Sequence, residues 1–382
     1  MPSKMTFLFG VPMVVGCCAI LWIYWDRFKK APKKKIFISA DCWLCVFDLL
    51  PPRQLGLGIA MISHRFDVYV DEHFKTRKWT LGIIRIRRKI EEHAAANEME
   101  ITNYDGEPLP IPKNPLPKKV VGFRAISIKH IDQNVIAFLQ RFRQLFASFC
   151  PINLNIYTTN DRISEFILRN IWPMLGQNIH GIEMFASSFH HLRQIVPSIL
   201  NECPSLRFVK FYANANLFTE FPADDSAAAS DGQAMAKWLC TPLQNNVPKV
   251  LRCLLDRNDW NLTSRIEAFR AAFANASSPV NFIVAIWFHW SFAHVVVPPF
   301  DLMTNDLTGE QLAFKSTDHY RRFVLVRCPI ARDESKWAKW EEEAIGWHIC
   351  DPLNRIHIDI YGEDQIGDGL LDGIPGPNNQ QK

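Results

Sequence analysis

Short bursts of alternating apolar and polar residues recur along this chain, separated by stretches of helical periodicity. Ile126 and Ile128, Leu154 and Ile156, Ile182 and Met184, and Val209 and Phe211 are apolar pairs whose first members lie 28, 28 and 27 residues apart. Period-two alternation reads as a half-buried strand. Each spacer holds one amphipathic helix: Val135, Phe138, Leu139, Phe142, Leu145 and Phe146 share a face in the first, and Ile163, Phe166, Ile167 and Ile171 in the second. The third helix is expected over about 189–201. Strand and helix in alternation predict parallel strands with the helices on the outer side. The spacing lies in the range of leucine-rich repeats; a non-repetitive α/β domain is the alternative. Such a sheet offers a broad surface for a protein rather than a deep catalytic pocket.

The same grammar continues beyond the repeats. Strands are predicted at 250–254 and 280–288 with a helix at 264–273 between them. A strand at 322–326, a helix from about 334 and a strand at 355–361, where Ile356, Ile358 and Ile360 alternate, form a C-terminal α/β region. On its helix, Trp337, Trp340, Ala344 and Trp347 form a stripe expected to pack against the neighbouring sheet. Upstream, residues 79–90 alternate Ile84 and Ile86 with Arg85 and Arg87, a strand with one basic, solvated face. Five prolines in 107–117 predict an extended connector, and the chain after 362 reads as a disordered tail.

Residues 6–25 are uncharged and as a helix span about 30 Å, the thickness of a bilayer core. Arg27, Lys29, Lys30, Lys33, Lys34 and Lys35 follow, against Lys4 alone on the other flank. The positive-inside rule then predicts a single-pass N-terminal membrane anchor with the globular body in the cytosol; a cleaved secretory signal is the rival reading. Residues 1–35 carry seven basic residues and one acid, so the rest of the chain is close to neutral despite the formal +4. That balance carries no overall signature for nucleic acid.

Ten scattered cysteines do not make a secreted disulfide framework. Cys42 and Cys45 have C-x-x-C spacing, yet no second such pair completes a zinc site, and they are expected to be ordinary small apolar residues of a helix. No G-x-S-x-G elbow, phosphate-binding G-x-x-x-x-G-K-[ST] loop, dinucleotide fingerprint or H-E-x-x-H pair occurs, and no catalytic residue, metal ligand or cofactor site is assigned.

Between the basic flank and the repeats, Trp43, Val46, Phe47 and Leu50 fall on one helical face after Asp41, a possible N-cap. After Pro51 and Pro52, Leu55, Ile59, Ile62 and Phe66 continue at near-helical spacing. Helices this short cannot bury their faces alone and need a following domain or a partner. With Ile38, Asp41, Val46-Phe47, Leu50-Pro51, Gln54-Leu55, the run Ile62-Ser63-His64-Arg65-Phe66 and Trp79, the segment resembles the F-box. Ile38-Ser39 stands where the family has Leu-Pro, and the second half fits with one residue of slack. Further phrases, among them Phe221-Pro222, Pro279 to Phe282 and Lys336-Trp337, are similar to a large nematode group of F-box-like proteins.

The resemblance implies a non-enzymatic substrate-recognition adaptor of a cullin ubiquitin ligase. It implies that Trp43, Val46, Phe47, Leu50, Leu55, Ile59, Ile62 and Phe66 bind a Skp-type adaptor, while an unidentified target protein is held elsewhere. The alternative is a membrane-tethered protein-interaction module without a ligase link. The expected organisation is an anchor and basic flank (1–35), F-box-like helices (36–79), a strand and Pro-rich connector (80–118), leucine-rich-repeat-like β-α units (119–290), an additional α/β C-terminal region (291–361) and a tail (362–382).

Overall fold

In the computed structural model, which describes residues 38–50, 55–88, 99–102, 108–109, 120–147, 151–212, 218–255, 262–288, 302–318, 322–346 and 354–374, the first helix starts at Ser39 rather than at Asp41. The Ser39 side chain accepts from the Cys42 amide (3.4 Å) and caps helix α1 (Ala40–Phe47). A π-helical turn (Leu55–Ile59) and a 3-10 turn (Ala60–Ile62) come next. The near-helical spacing expected through residue 66 is interrupted at Ser63. Its extended backbone and its side chain, which accepts from the Phe66 amide, start a separate helix α2 (His64–Thr76). A serine at that place caps better than it propagates, because its hydroxyl satisfies an otherwise orphaned amide.

These helices form one of two units into which the chain divides, Met1–Arg77; the other is Lys78–Lys382. The small unit has Phe47, Leu55 and Val70 at its centre, with Trp43, Leu44, Leu50, Ile59, Phe66, Tyr69 and Phe74 packed around them. Trp43 meets Phe66 edge to face with ring centroids 4.8 Å apart, a favourable aromatic geometry.

The larger unit is built on a sheet that has 13 strands among the described residues. They are β1 (Trp79–Arg88), β2 (Met99–Thr102), β3 (Pro108–Leu109), β4 (Val120–Ile128), β5 (Ile152–Tyr157), β6 (Ile179–Phe185), β7 (Phe208–Tyr212), β8 (Lys249–Leu255), β9 (Phe282–Phe288), β10 (Met303–Asn305), β11 (Glu310–Asp318), β12 (Arg322–Pro329) and β13 (Arg355–Asp359). Their order is β10-β11-β12-β9-β8-β7-β6-β5-β13-β4-β1-β2-β3. From β9 to β1 every neighbouring pair is parallel, and antiparallel strands flank this block on both sides.

The connecting helices are α3 (Gln133–Ala147), α4 (Asp161–Asn170), α5 (Trp172–Leu175), α6 (Ala186–Ile195), α7 (Asp231–Leu239) and α8 (Leu262–Ala274). The third spacer helix stops short of the expected residue 201, at Val196 just before Pro197. Because β4 through β9 advance in one direction across the sheet, right-handed crossovers put these helices on the same face. Their apolar side chains and the row Ile126, Leu154, Ile182 and the residues in register with them form one continuous core. Leu154 stands beside Ile182 and Ile182 beside Val209, as the 28- and 27-residue spacing requires. Ile126, however, is separated from Leu154 by Ile356, because β13 lies between β4 and β5.

The opposite face is partly covered by α9 (Glu334–Ile345), whose Trp337 and Ala344 are buried on Phe208, Val250, Ile283, Val324 and Val326, with Trp340 against them. The aromatic stripe is therefore a packing surface over its described part; Trp347 lies outside the described residues.

Three expectations change. The repeat and C-terminal regions share one sheet and one unit. Residues 362–374 are folded: Ile366, Leu371 and Ile374 are buried, Gly367 donates its amide to the Ile131 carbonyl (2.7 Å), and Arg162 pairs with Glu363 (2.6 Å). Among the described residues no helix is long and apolar enough to cross a membrane, which conflicts with the expected single-pass anchor and membrane localisation; residues 6–25 lie outside the described residues. The longest described helix, α3, has 15 residues and spends its apolar face on the core.

Candidate functional site

Two surfaces carry side chains that folding alone does not use. The first is on the small helical unit. Of the eight residues expected to bind an adaptor, Phe47 and Leu55 are fully buried and Trp43, Leu50, Ile59 and Phe66 are half-buried around them. Phe47 and Leu55 thus hold the unit together and are out of a partner's reach. Val46 and Ile62 face outward, Ile62 with 63% exposure. The structure adds Leu49, Met61 and Val68, which the helical spacing did not single out; Leu49 is 83% and Met61 78% exposed. Leu49 lies in the turn after α1 and Met61 in the 3-10 turn, where a 3.6-residue period no longer says which way a side chain points. Cys42 and Cys45, expected to be ordinary small apolar residues of a helix, do lie on α1, and both are exposed.

Arg65 donates to the Ile38 carbonyl (3.1 Å) and to Tyr69 Oη (2.9 Å), tying the start of α1 to α2. Asp48 pairs with Arg77 and lies 3.8 Å from His73 Nδ1. Burial, with help from the Arg77 charge, holds the His73 imidazole below its ordinary pKa against the pull of Asp48.

The second surface is the sheet face opposite the connecting helices. Between the two apolar members of each strand triplet sits a residue that must point the other way. In register from β1 to β8 these are Arg85, Ser127, His357, Asn155, Glu183, Lys210 and Arg252, an unbroken polar row. Glu183 is buried and accepts from Asn155 Nδ2 (3.0 Å) and from Lys210 Nζ. Asn155 Nδ2 also donates to Tyr157 Oη (3.0 Å). His357 is held below its ordinary pKa by burial first and by Arg355 second, while Glu183 and Asp359 pull the other way. Arg252 belongs to the scaffold: it donates to the Ala344 carbonyl (3.1 Å) and the Glu343 carbonyl (2.5 Å) at the end of α9, where a cation suits the helix dipole.

Near the carboxyl ends of β1, β4, β13 and β5 this face opens into a groove of about 440 Å³ bordered by Arg85, Arg87, Ser127, Lys129, Tyr157, His357 and Asp359. A second charged cluster, buried Arg327 and Glu310 (2.6 Å), is structural: Glu310 accepts from the Val280 amide (2.7 Å), and Arg327 donates to the Ser278 carbonyl (3.0 Å). Among the described residues no group of three or more His, Cys, Asp or Glu side chains is placed to hold a metal ion. No protein-family model, curated protein or solved structure matches this chain.

Proposed function

We propose that the chain is an F-box-type substrate-recognition adaptor of a cullin ubiquitin ligase, whose small helical unit docks on a Skp-type adaptor and whose α/β unit holds a target protein. The observation that carries this reading is the outward placement of Leu49, Met61 and Ile62 on a unit whose described residues have three buried apolar side chains at their centre. Covering exposed apolar area is worth about 25 cal/mol per Å², and a unit this small gains from a partner what it cannot supply internally. The repeated β-α units, read as leucine-rich-repeat-like, offer a broad sheet face for the target. Catalysis belongs to other members of the assembly, and this chain contributes proximity.

The triple substitution Leu49→Ser, Met61→Ser and Ile62→Ser tests the docking surface. It leaves Phe47, Leu55 and Val70 untouched, so helical content is expected to be preserved. Co-purification with a Skp-type adaptor is expected to be lost. A variant that still binds the adaptor at wild-type strength refutes this surface, and a wild-type chain that binds none refutes the adaptor reading.

A further inference from the structure

We infer that the groove at the carboxyl ends of β1, β4, β13 and β5 is a binding site for a doubly charged oxyanion of the phosphate-monoester class. This inference does not depend on the adaptor reading, since it concerns a different unit and is measured without any ligase component. In parallel α/β sheets the carboxyl ends of the strands are where ligands collect, because the loops there diverge and leave side chains pointing into open space. Here the space is about 440 Å³, ample for a phosphate group with part of the molecule that bears it.

Charge then selects the ligand. Arg85 and Arg87 are exposed and two residues apart on β1, so they share one face with their side chains about 7 Å apart at the backbone. Each guanidinium presents a planar fork of donors that matches two oxygens of a phosphate. Lys129, immediately after β4, adds a third cation, and Asp359, 3.5 Å from Lys129, is the carboxylate among the described residues of the groove wall. Glu100 stands opposite Arg87 in the β1–β2 register. Among the described residues that line the groove, three cations stand against one carboxylate. An anion gains from them, whereas a cationic ligand meets repulsion.

The remaining wall residues are donors as well. Ser127 carries a hydroxyl, and the Tyr157 oxygen accepts from Asn155 Nδ2, which turns its own O–H toward other neighbours. Glu183, two strands from the groove's centre, is paired with Lys210 and accepts from Asn155. His357 on the groove floor adds a ring that can donate from one nitrogen.

The test titrates the full chain with phenyl phosphate and, in separate arms, with inorganic phosphate and with phenylacetate, by calorimetry. Saturable binding of phenyl phosphate is expected, with phenylacetate weaker because it carries a single charge. The paired substitution Arg85→Gln and Arg87→Gln is expected to weaken phenyl phosphate binding about tenfold or more, the loss of two charge-assisted contacts. Both positions are solvent-exposed, and an unchanged thermal midpoint of the variant shows that the fold is kept. Inorganic phosphate binding as tightly as the ester places recognition in the oxyanion alone, while a tighter ester adds contacts to its carbon side; either supports the site. No saturable binding, equal binding by the variant, or tighter binding of a single-stranded oligoribonucleotide than of phenyl phosphate overturns it.

Discussion

Burial of a single ammonium gives this fold a pH signature. Lys249 is buried, donates to the Trp238 carbonyl (2.6 Å) and has its pKa pushed down from 10.5 to about 8 by desolvation. Between those two values the unfolded chain holds more protons than the folded one, so stability rises with pH across that window. Below about pH 8 the full penalty applies, on the order of 3 kcal/mol. Lys249→Met is expected to remove the rise, read as the difference between wild type and variant in urea midpoints at pH 7.5 and 10. On the acid side, His130 is buried and held below its ordinary 6.5, chiefly by burial. Its folded form resists protonation that the unfolded chain accepts, so stability falls as the pH drops below about 6.5; His130→Leu is expected to shallow that fall in the same titration. Arg327→Met, which strands buried Glu310, is expected to cost about 3–5 kcal/mol in chemical denaturation. At this scale the polar row was legible. Each apolar pair brackets one polar residue, as in Ile182-Glu183-Met184 and Ile356-His357-Ile358, and the period of two sends it to the other face. The burial of Phe47 and exposure of Leu49 were not legible, because they depend on how three short helical pieces close on one another.

Elements followed the hydrophobic pattern where it was long and failed where capping competed with it. Strands β8, β9, β12 and β13 and helices α8 and α9 fall where alternation and helical spacing put them. In the small unit, serines at 39 and 63 redrew the helix starts, since a hydroxyl that satisfies a free amide outweighs the modest preference of its neighbours. Helix α7 shows the same device in full: Ser230 accepts from the Gln233 amide (3.1 Å), and the Gln233 side chain accepts from the Ser230 amide (2.9 Å). Ser230→Ala is expected to cost about 1 kcal/mol, seen as a lowered urea midpoint with an unchanged slope. The position of α9 could not be read from its stripe of tryptophans alone. Its seat is set by Arg252 on its last carbonyls and by Arg207, which pairs with Glu343 (2.8 Å) across a large sequence separation.

The whole molecule depends on β13. Spacing of the central apolar pairs pointed to β4 and β5 as neighbours; nothing local in the sequence of Arg355–Asp359 says that it belongs between them, because strand order is set by long-range pairing. Its Ile356 and Ile358 complete the apolar row on one face, and His357 completes the polar row on the other. Removal of residues 354–382 is expected to leave two facing strand edges unpaired and to abolish cooperative unfolding of the larger unit, as followed by circular dichroism. A truncated chain that still unfolds in one transition at the wild-type midpoint would show that the gap closes on its own. The insertion also bears on how the protein is born. While the ribosome still holds residue 355, β4 and β5 have no proper neighbour between them, so the sheet cannot be sealed before that point of synthesis. Until β13 is in place, those two edges are open to each other and to passing chains, the kind of exposed strand that invites wrong pairing.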